Sequence, residues 1–131
     1  MMADTPEAKV KKKIHAILKS AGAYAVNYIG GQYATSGTPD ILVCINGRFV
    51  GIEAKAGKGK PTQLQLNSLR DIHKAGGVAL IINEANLHTL AGALTATVVG
   101  GQPSNYTDFL PKTEIENTNE PTLRTRPRDV L

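Results

Sequence analysis

The sequence predicts a mixed α/β sandwich, a small central sheet flanked by helices. Three observations carry this expectation. Asn46-Gly47 lies between two apolar runs, the strongest short-range signal for a β-hairpin. Val10, Ile14, Ile17, Leu18 and Ala21, and later Leu66, Leu69 and Ile72, recur at helical spacing. Val78 to Ile82 is short and wholly apolar, the pattern of a strand buried on both faces. Helix, three strands, helix, strand, helix is an order that packs as layers around one core.

Taken in chain order, Asp4-Thr5-Pro6 marks a helix start, with Asp4 as the capping residue and proline in the first turn. Gly22 ends that helix. Ala23 to Ile29 reads as a strand, and Gly30 to Thr38 as a loop of small and polar residues. Asp40 to Ile45 and Arg48 to Lys55 form the hairpin. Ile41 to Ile45 is apolar on both faces, which predicts an interior strand. Gly57 to Pro61 is a basic loop, and Thr62 caps a second helix that Gly76-Gly77 stops. Leu87 to Val98 predicts a third helix, packed through Leu87, Leu90, Ala91 and Leu94. From Gly100 the chain becomes polar and aperiodic. The expected organisation is one domain over residues 1–99 and an extended polar tail or arm over 100–131.

The chain has 131 residues, 41% hydrophobic and 20% charged, the range of a soluble globular domain. No apolar stretch approaches the ~20 residues of a membrane span. Met1 to Glu7 is polar and lacks a signal-peptide pattern. The single cysteine, Cys44, excludes an internal disulfide framework and a cysteine zinc site, and fits an intracellular setting. The net charge of +4 favours a polyanionic partner. His15, His73 and His88 lack metal-ligand spacing, and the glycines form no dinucleotide or phosphate-loop motif. At 5%, the aromatic content is too low for a base-stacking platform.

The hairpin register singles out a candidate site. With a two-residue turn, Ile45 faces Arg48, and counting outward puts Asp40 opposite Glu53. Directly opposed side chains have Cβ atoms about 5 Å apart, and like charges so placed destabilise a sheet. Lys55 shares the face of Glu53, because side chains alternate along a strand. Glu53 also lies in an otherwise apolar strand, where an unpaired charge is costly. A divalent cation offsets that cost most simply. One or two carboxylates, completed by waters and a substrate phosphate, suit Mg²⁺ or Mn²⁺, with the carbonyl of Ala54 as a further candidate ligand that the sequence does not itself show. Lys55 is either the counter-ion of the pair or a group that holds the attacking water and steadies phosphoryl charge. Use of Lys55 as a Schiff-base nucleophile is disfavoured, since adjacent carboxylates keep it protonated.

Other residues carry two readings each. Glu7 closes a capping box behind Asp4, or continues the apolar stripe and brings a further acid to the site. Gln65 fixes a loop by hydrogen bonds, or orients a water or phosphate. Lys58 and Lys60 are a solvated turn or phosphate contacts that position without reading sequence. Lys11 to Lys13, with Arg124, Arg126 and Arg128, are solvated charge or salt-dependent nucleic-acid contacts, Lys12 being the candidate contact among them. Ser36 and Gly37 shape the strand entry, or let a nucleic-acid backbone come close.

Pro39-Asp40 followed by Glu53-Ala54-Lys55 resembles the Pro-Asp … Glu-x-Lys pattern of the PD-(D/E)XK nuclease superfamily. Ser36-Gly37-Thr38-Pro39-Asp40 and Gly59-Lys60-Pro61-Thr62-Gln63-Leu64-Gln65 resemble the strand entry and the Thr-x-x-Gln helix start of its VRR-NUC (virus-type replication-repair nuclease) family. The resemblance spans about Glu7 to Asn83. It implies a restriction-endonuclease-like αβββαβ core and DNA phosphodiester hydrolysis dependent on Mg²⁺ or Mn²⁺. Asp40 and Glu53 would be metal ligands, Lys55 the catalytic lysine, Glu7 the acid of the first helix and Gln65 the motif glutamine. Small stand-alone members are viral or prophage-borne and resemble dimeric Holliday-junction resolvases. A homodimer acting on branched or flapped DNA in a bacterial cytoplasm is therefore the implied setting. The alternatives kept are a restriction- or exonuclease-type enzyme of the same superfamily, and a nucleic-acid-binding module that retains the fold without turnover.

Overall fold

A computed structural model describes residues 4–30 and 36–111 of the protein. Its elements, in chain order, are α1 (Pro6–Ser20), β1 (Tyr24–Asn27), β2 (Ile41–Ile45), β3 (Arg48–Ala54), α2 (Gln63–Lys74), β4 (Val78–Ile82) and α3 (Leu90–Val98). Two 3-10 turns, Leu87–Thr89 and Tyr106–Phe109, precede and follow α3. The four strands form one sheet in the order β1-β2-β3-β4. The β1–β2 and β2–β3 pairs are antiparallel, and β3–β4 is parallel across the α2 connection. This is a mixed α/β fold with an interior β2, as the apolar pattern predicts. Among the described residues no helix is long and apolar enough to cross a membrane.

The hairpin turn sets the register. Asn46 and Gly47 both have positive φ, 50° and 77°, the backbone of a tight two-residue turn that matches strand twist. The pairs then run from Ile45↔Arg48 to Ile41↔Ile52. Even-numbered β3 residues Val50, Ile52 and Ala54 face one side of the sheet, where Val10, Ile14 and Leu18 of α1 and Leu90 and Leu94 of α3 close a core. On the other side Leu66 and Leu69 of α2 pack on Ala79 and Ile81 together with Tyr106 and Leu110. Glu53, being odd-numbered, falls on the α2 side.

Three details differ from the sequence-based expectation. The cap of α1 is Thr5 rather than Asp4: the Thr5 hydroxyl accepts the Ala8 N–H at 3.1 Å, and Asp4 instead pairs with Lys12. Glu7 is consequently the second helical residue, one short of the position a capping box requires. β1 is shorter than Ala23–Ile29 and forms one edge of the sheet. The third helix starts at Leu90 because Leu87–Thr89 winds as a tighter 3-10 turn, which shifts the helical phase and leaves Ala91 exposed.

The boundary at residue 100 also changes. Residues 100–111 are part of the packed domain rather than the start of an arm. β4 is an edge strand yet fully buried, and edge strands need their polar groups covered. The Ser104 hydroxyl accepts the Ala79 N–H at 2.9 Å. Asn105 takes the Ile81 N–H at 2.7 Å, donates its side-chain amide to the Ile81 carbonyl, and donates its backbone N–H to Ala79 O. Gln102 caps the Gly77 carbonyl in the same way. Polar composition made this stretch read as a tail, whereas its side chains replace a fifth strand. The expected arm over 112–131, with Arg124, Arg126 and Arg128, lies outside the described residues, as does Gly31 of the loop before Ser36.

Gly37 joins the strand entry to α2. Its φ is +85°, and a Cβ built there would lie 2.5 Å from the Leu64 carbonyl oxygen. Gly37→Ala is expected to lower unfolding stability by about 2–4 kcal/mol in urea melts, because backbone strain and a backbone clash combine. Gly22→Ala, at φ +76° with nothing within 4 Å of the added carbon, should lose only about 1 kcal/mol. Equal losses at the two positions would mean that the clash with α2 is relieved at little cost.

Candidate active site

One step beyond the Ile41↔Ile52 pair, Asp40 stands opposite Glu53 at the end of the hairpin. Asp40 Oδ2 accepts the Ala54 N–H at 2.9 Å, which ties the carboxylate to the end of β3. In an extended strand a residue's N–H and C=O point the same way, so the Ala54 carbonyl is also directed to the Asp40 side. Glu53 is 2% exposed. Its Oε2 lies 3.4 Å from Lys55 Nζ, and its Oε1 has no hydrogen-bond partner among the described residues. Lys55 is anchored through its backbone N–H to the Ile82 carbonyl, at the carboxyl end of the parallel β3–β4 pair. Crevices at the carboxyl ends of parallel strands are where open α/β sheets bind ligands.

Burial pushes the Glu53 carboxyl up to about 8, and the Asp40 charge adds to the rise. Lys55 opposes both without cancelling them. While protonated, Glu53 shares a hydrogen bond with the Asp40 carboxyl, which also favours the neutral form; once ionised, its Oε1 is a buried carboxylate oxygen with no donor, which costs free energy. This orphaned oxygen, a second carboxylate across the strand pair and a carbonyl on the same side fit a hard divalent cation. No group of three or more His, Cys, Asp or Glu side chains with metal-holding geometry occurs among the described residues. Waters and substrate oxygens would therefore make up most of the shell, as is usual for Mg²⁺.

The first helix reaches the same place. Glu7 Oε2 is 3.6 Å from Lys11 Nζ, and that ammonium is 3.7 Å from Asp40 Oδ1. Glu7 is thus linked to Asp40 through Lys11 rather than directly. Gln65 serves the capping box of α2: its Oε1 accepts the Thr62 N–H at 2.9 Å, and the Thr62 hydroxyl accepts the Gln65 N–H at 3.2 Å. The loop-fixing reading of Gln65 describes this geometry, and only its amide group is left to face a ligand. Gly37 lies at the strand entry against Leu64 in the first turn of α2, with Ser36 the residue before it. Lys58 and Lys60 are exposed in the loop after Lys55, and Lys12 is exposed and paired with Asp4. That loop is held by Glu84, whose Oε1 accepts the Gly57 N–H at 2.8 Å. Hydrogen bonds from its own N–H and from Gly57 keep Glu84 below the usual carboxylate range, with Lys13 contributing.

Three neighbours of the site escape a sequence reading focused on the hairpin. Lys11 has a local signal, since it stands one helical turn after Glu7. Tyr28 donates its N–H to the Asp40 carbonyl at 2.8 Å and so flanks Asp40 on the side away from Glu53. Its place follows from the β1–β2 register, which no turn motif announces. Glu84 is separated from the loop it holds by all of α2 and β4. No protein-family model and no curated protein matches the chain.

The raised Glu53 carboxyl has a signed consequence for stability. Between its ordinary value of 4.5 and about 8, folding takes up a proton. The metal-free protein is therefore expected to lose stability as pH rises through that window. Glu53→Gln keeps the shape and removes the charge, so in chelator at pH 9 it should be more stable than wild type by about 1–3 kcal/mol. The gain should vanish at pH 4, where both side chains are neutral. Urea melts at the two pH values measure this, and a destabilised variant at pH 9 would contradict the assignment of burial as the dominant cause.

Proposed function

We propose that the protein is a metal-dependent endonuclease that hydrolyses DNA phosphodiester bonds, with a restriction-endonuclease-like core of the VRR-NUC type. The observation that carries this reading is the buried Glu53 carboxylate with an orphaned oxygen, facing Asp40 and flanked by Lys55. A pure binding module gains nothing from two carboxylates directed at phosphate. The order α1-β1-β2-β3-α2-β4 is compatible with the αβββαβ core that the motif resemblance implies.

Asp40, Glu53 and the Ala54 carbonyl would hold Mg²⁺ or Mn²⁺. A bound cation would supply Lewis-acid stabilisation of phosphoryl charge and a more acidic water. The protein's own groups do the rest. Asp40 is kept in one orientation by the Ala54 N–H, so a donor atom is presented without reorganisation. Lys55, 14% exposed, presents an ammonium beside Glu53, where it orients the attacking water or meets charge on the phosphoryl oxygens. Lys58 and Lys60 contact flanking phosphates. The substrate in this reading is branched or flapped DNA, cut by a homodimer in a bacterial cytoplasm.

Labelled duplex, flap and four-way-junction DNA should be cleaved by wild type with Mg²⁺ or Mn²⁺ and not in EDTA. Asp40→Asn and Lys55→Ala should each lower kcat by at least about 100-fold. Binding of all substrates without cleavage under any condition would replace this reading by a nucleic-acid-binding module. Lys58→Ala and Lys60→Ala should weaken DNA binding uniformly across sequences. Each should flatten the slope of log affinity against log salt by about one. An unchanged slope would assign the two lysines to solvent.

A further inference from the structure

We propose that Lys11 is a built-in competitor for the divalent cation at Asp40, and that its charge couples cation uptake to the arrival of a phosphodiester. This rests on the metal-dependent reading above. Of the two Asp40 oxygens, Oδ2 already gives one lone pair to the Ala54 N–H, which makes Oδ1 the readier ligand for a cation. Lys11 Nζ stands 3.7 Å from that Oδ1 and 3.6 Å from Glu7 Oε2. Both distances exceed hydrogen-bond length, so the ammonium is held by charge and not locked in place. Its side chain is 34% exposed and has room to move aside.

The charge count points the same way. Glu7, Asp40 and Glu53 bring three carboxylates, and Lys11 and Lys55 bring two ammoniums. With every group ionised the formal sum is only −1, a weak attraction for a divalent ion that must also approach a like charge. A phosphodiester adds a negative charge and offers Lys11 a second acceptor. Cation and phosphodiester then bind better together than either does alone, and by linkage each strengthens the other by the same factor. Lys11 is a positioning residue in this scheme: it sets when the site fills and takes no part in bond cleavage.

Mn²⁺ binding to the full chain, followed by the electron paramagnetic resonance signal of the free ion, tests the inference. Wild type, Lys11→Met and Lys11→Arg are compared with and without a phosphorothioate-protected DNA duplex. Methionine keeps the apolar stem and removes the charge. Lys11→Met should bind Mn²⁺ alone about tenfold more tightly than wild type, the effect of removing one partly screened positive charge near the ion. It should also lose most of the tightening that DNA brings. Lys11→Arg should retain wild-type behaviour. Thermal melts in EDTA establish that each variant is folded. Equal Mn²⁺ affinity in wild type and Lys11→Met would overturn the role of Lys11 while leaving the metal reading intact. No Mn²⁺ uptake by any variant, with or without DNA, would overturn both.

Discussion

The structure is organised around the burial of one charge-bearing group, the Glu53 carboxyl. β3 is buried from Val50 to Ala54, so Glu53 is carried into the interior by its apolar neighbours rather than by any partner of its own. Desolvation on this scale is tolerated only when something else is gained. The surrounding contacts lower the cost without removing it. Lys55 meets one oxygen, Asp40 is tied down by the next residue's N–H, and Oε1 stays without a donor. A site arranged for stability alone would have filled that position with an apolar side chain.

The rest of the fold holds this arrangement still. The Gly37 turn lies against the first turn of α2, which fixes the strand entry that delivers Asp40. The parallel pairing of β3 with β4 anchors Lys55, and the polar side chains of residues 102–105 close the β4 edge. The α2 layer and the 102–105 segment thus support the same few residues. The site depends on Ser104 and Asn105, far along the chain, as well as on the motif.

Much of this was legible before any coordinates. The Asn46-Gly47 turn carries its own register, so the meeting of Asp40 with Glu53 follows from counting alone. The helical stripes of Val10, Ile14 and Leu18, and of Leu66 and Leu69, are strong periodic signals that tertiary packing only reinforces. What was not legible shares one physical trait: it depends on pairing between segments with no local code. Tyr28 reaches Asp40 through a register set by packing. Residues 100–111 look like a polar tail because their hydrogen bonds substitute for hydrophobic periodicity. Thr5 displaced Asp4 as cap because either residue can serve and only the geometry of the first turn decides. The helical face shared by Glu7 and Lys11 was readable, but its proximity to Asp40 was not.

The two-residue hairpin has a corollary for insertions and deletions. Strand alternation means that one residue added to or deleted from the regular part of either strand between positions 40 and 53 would turn one carboxylate to the opposite face of the sheet. Substitutions in this stretch alter packing by degrees, whereas a change in its length that no bulge or longer turn absorbs separates the two carboxylates. The relative placing of the two acids is therefore more sensitive to the length of this hairpin than to the identity of most residues within it.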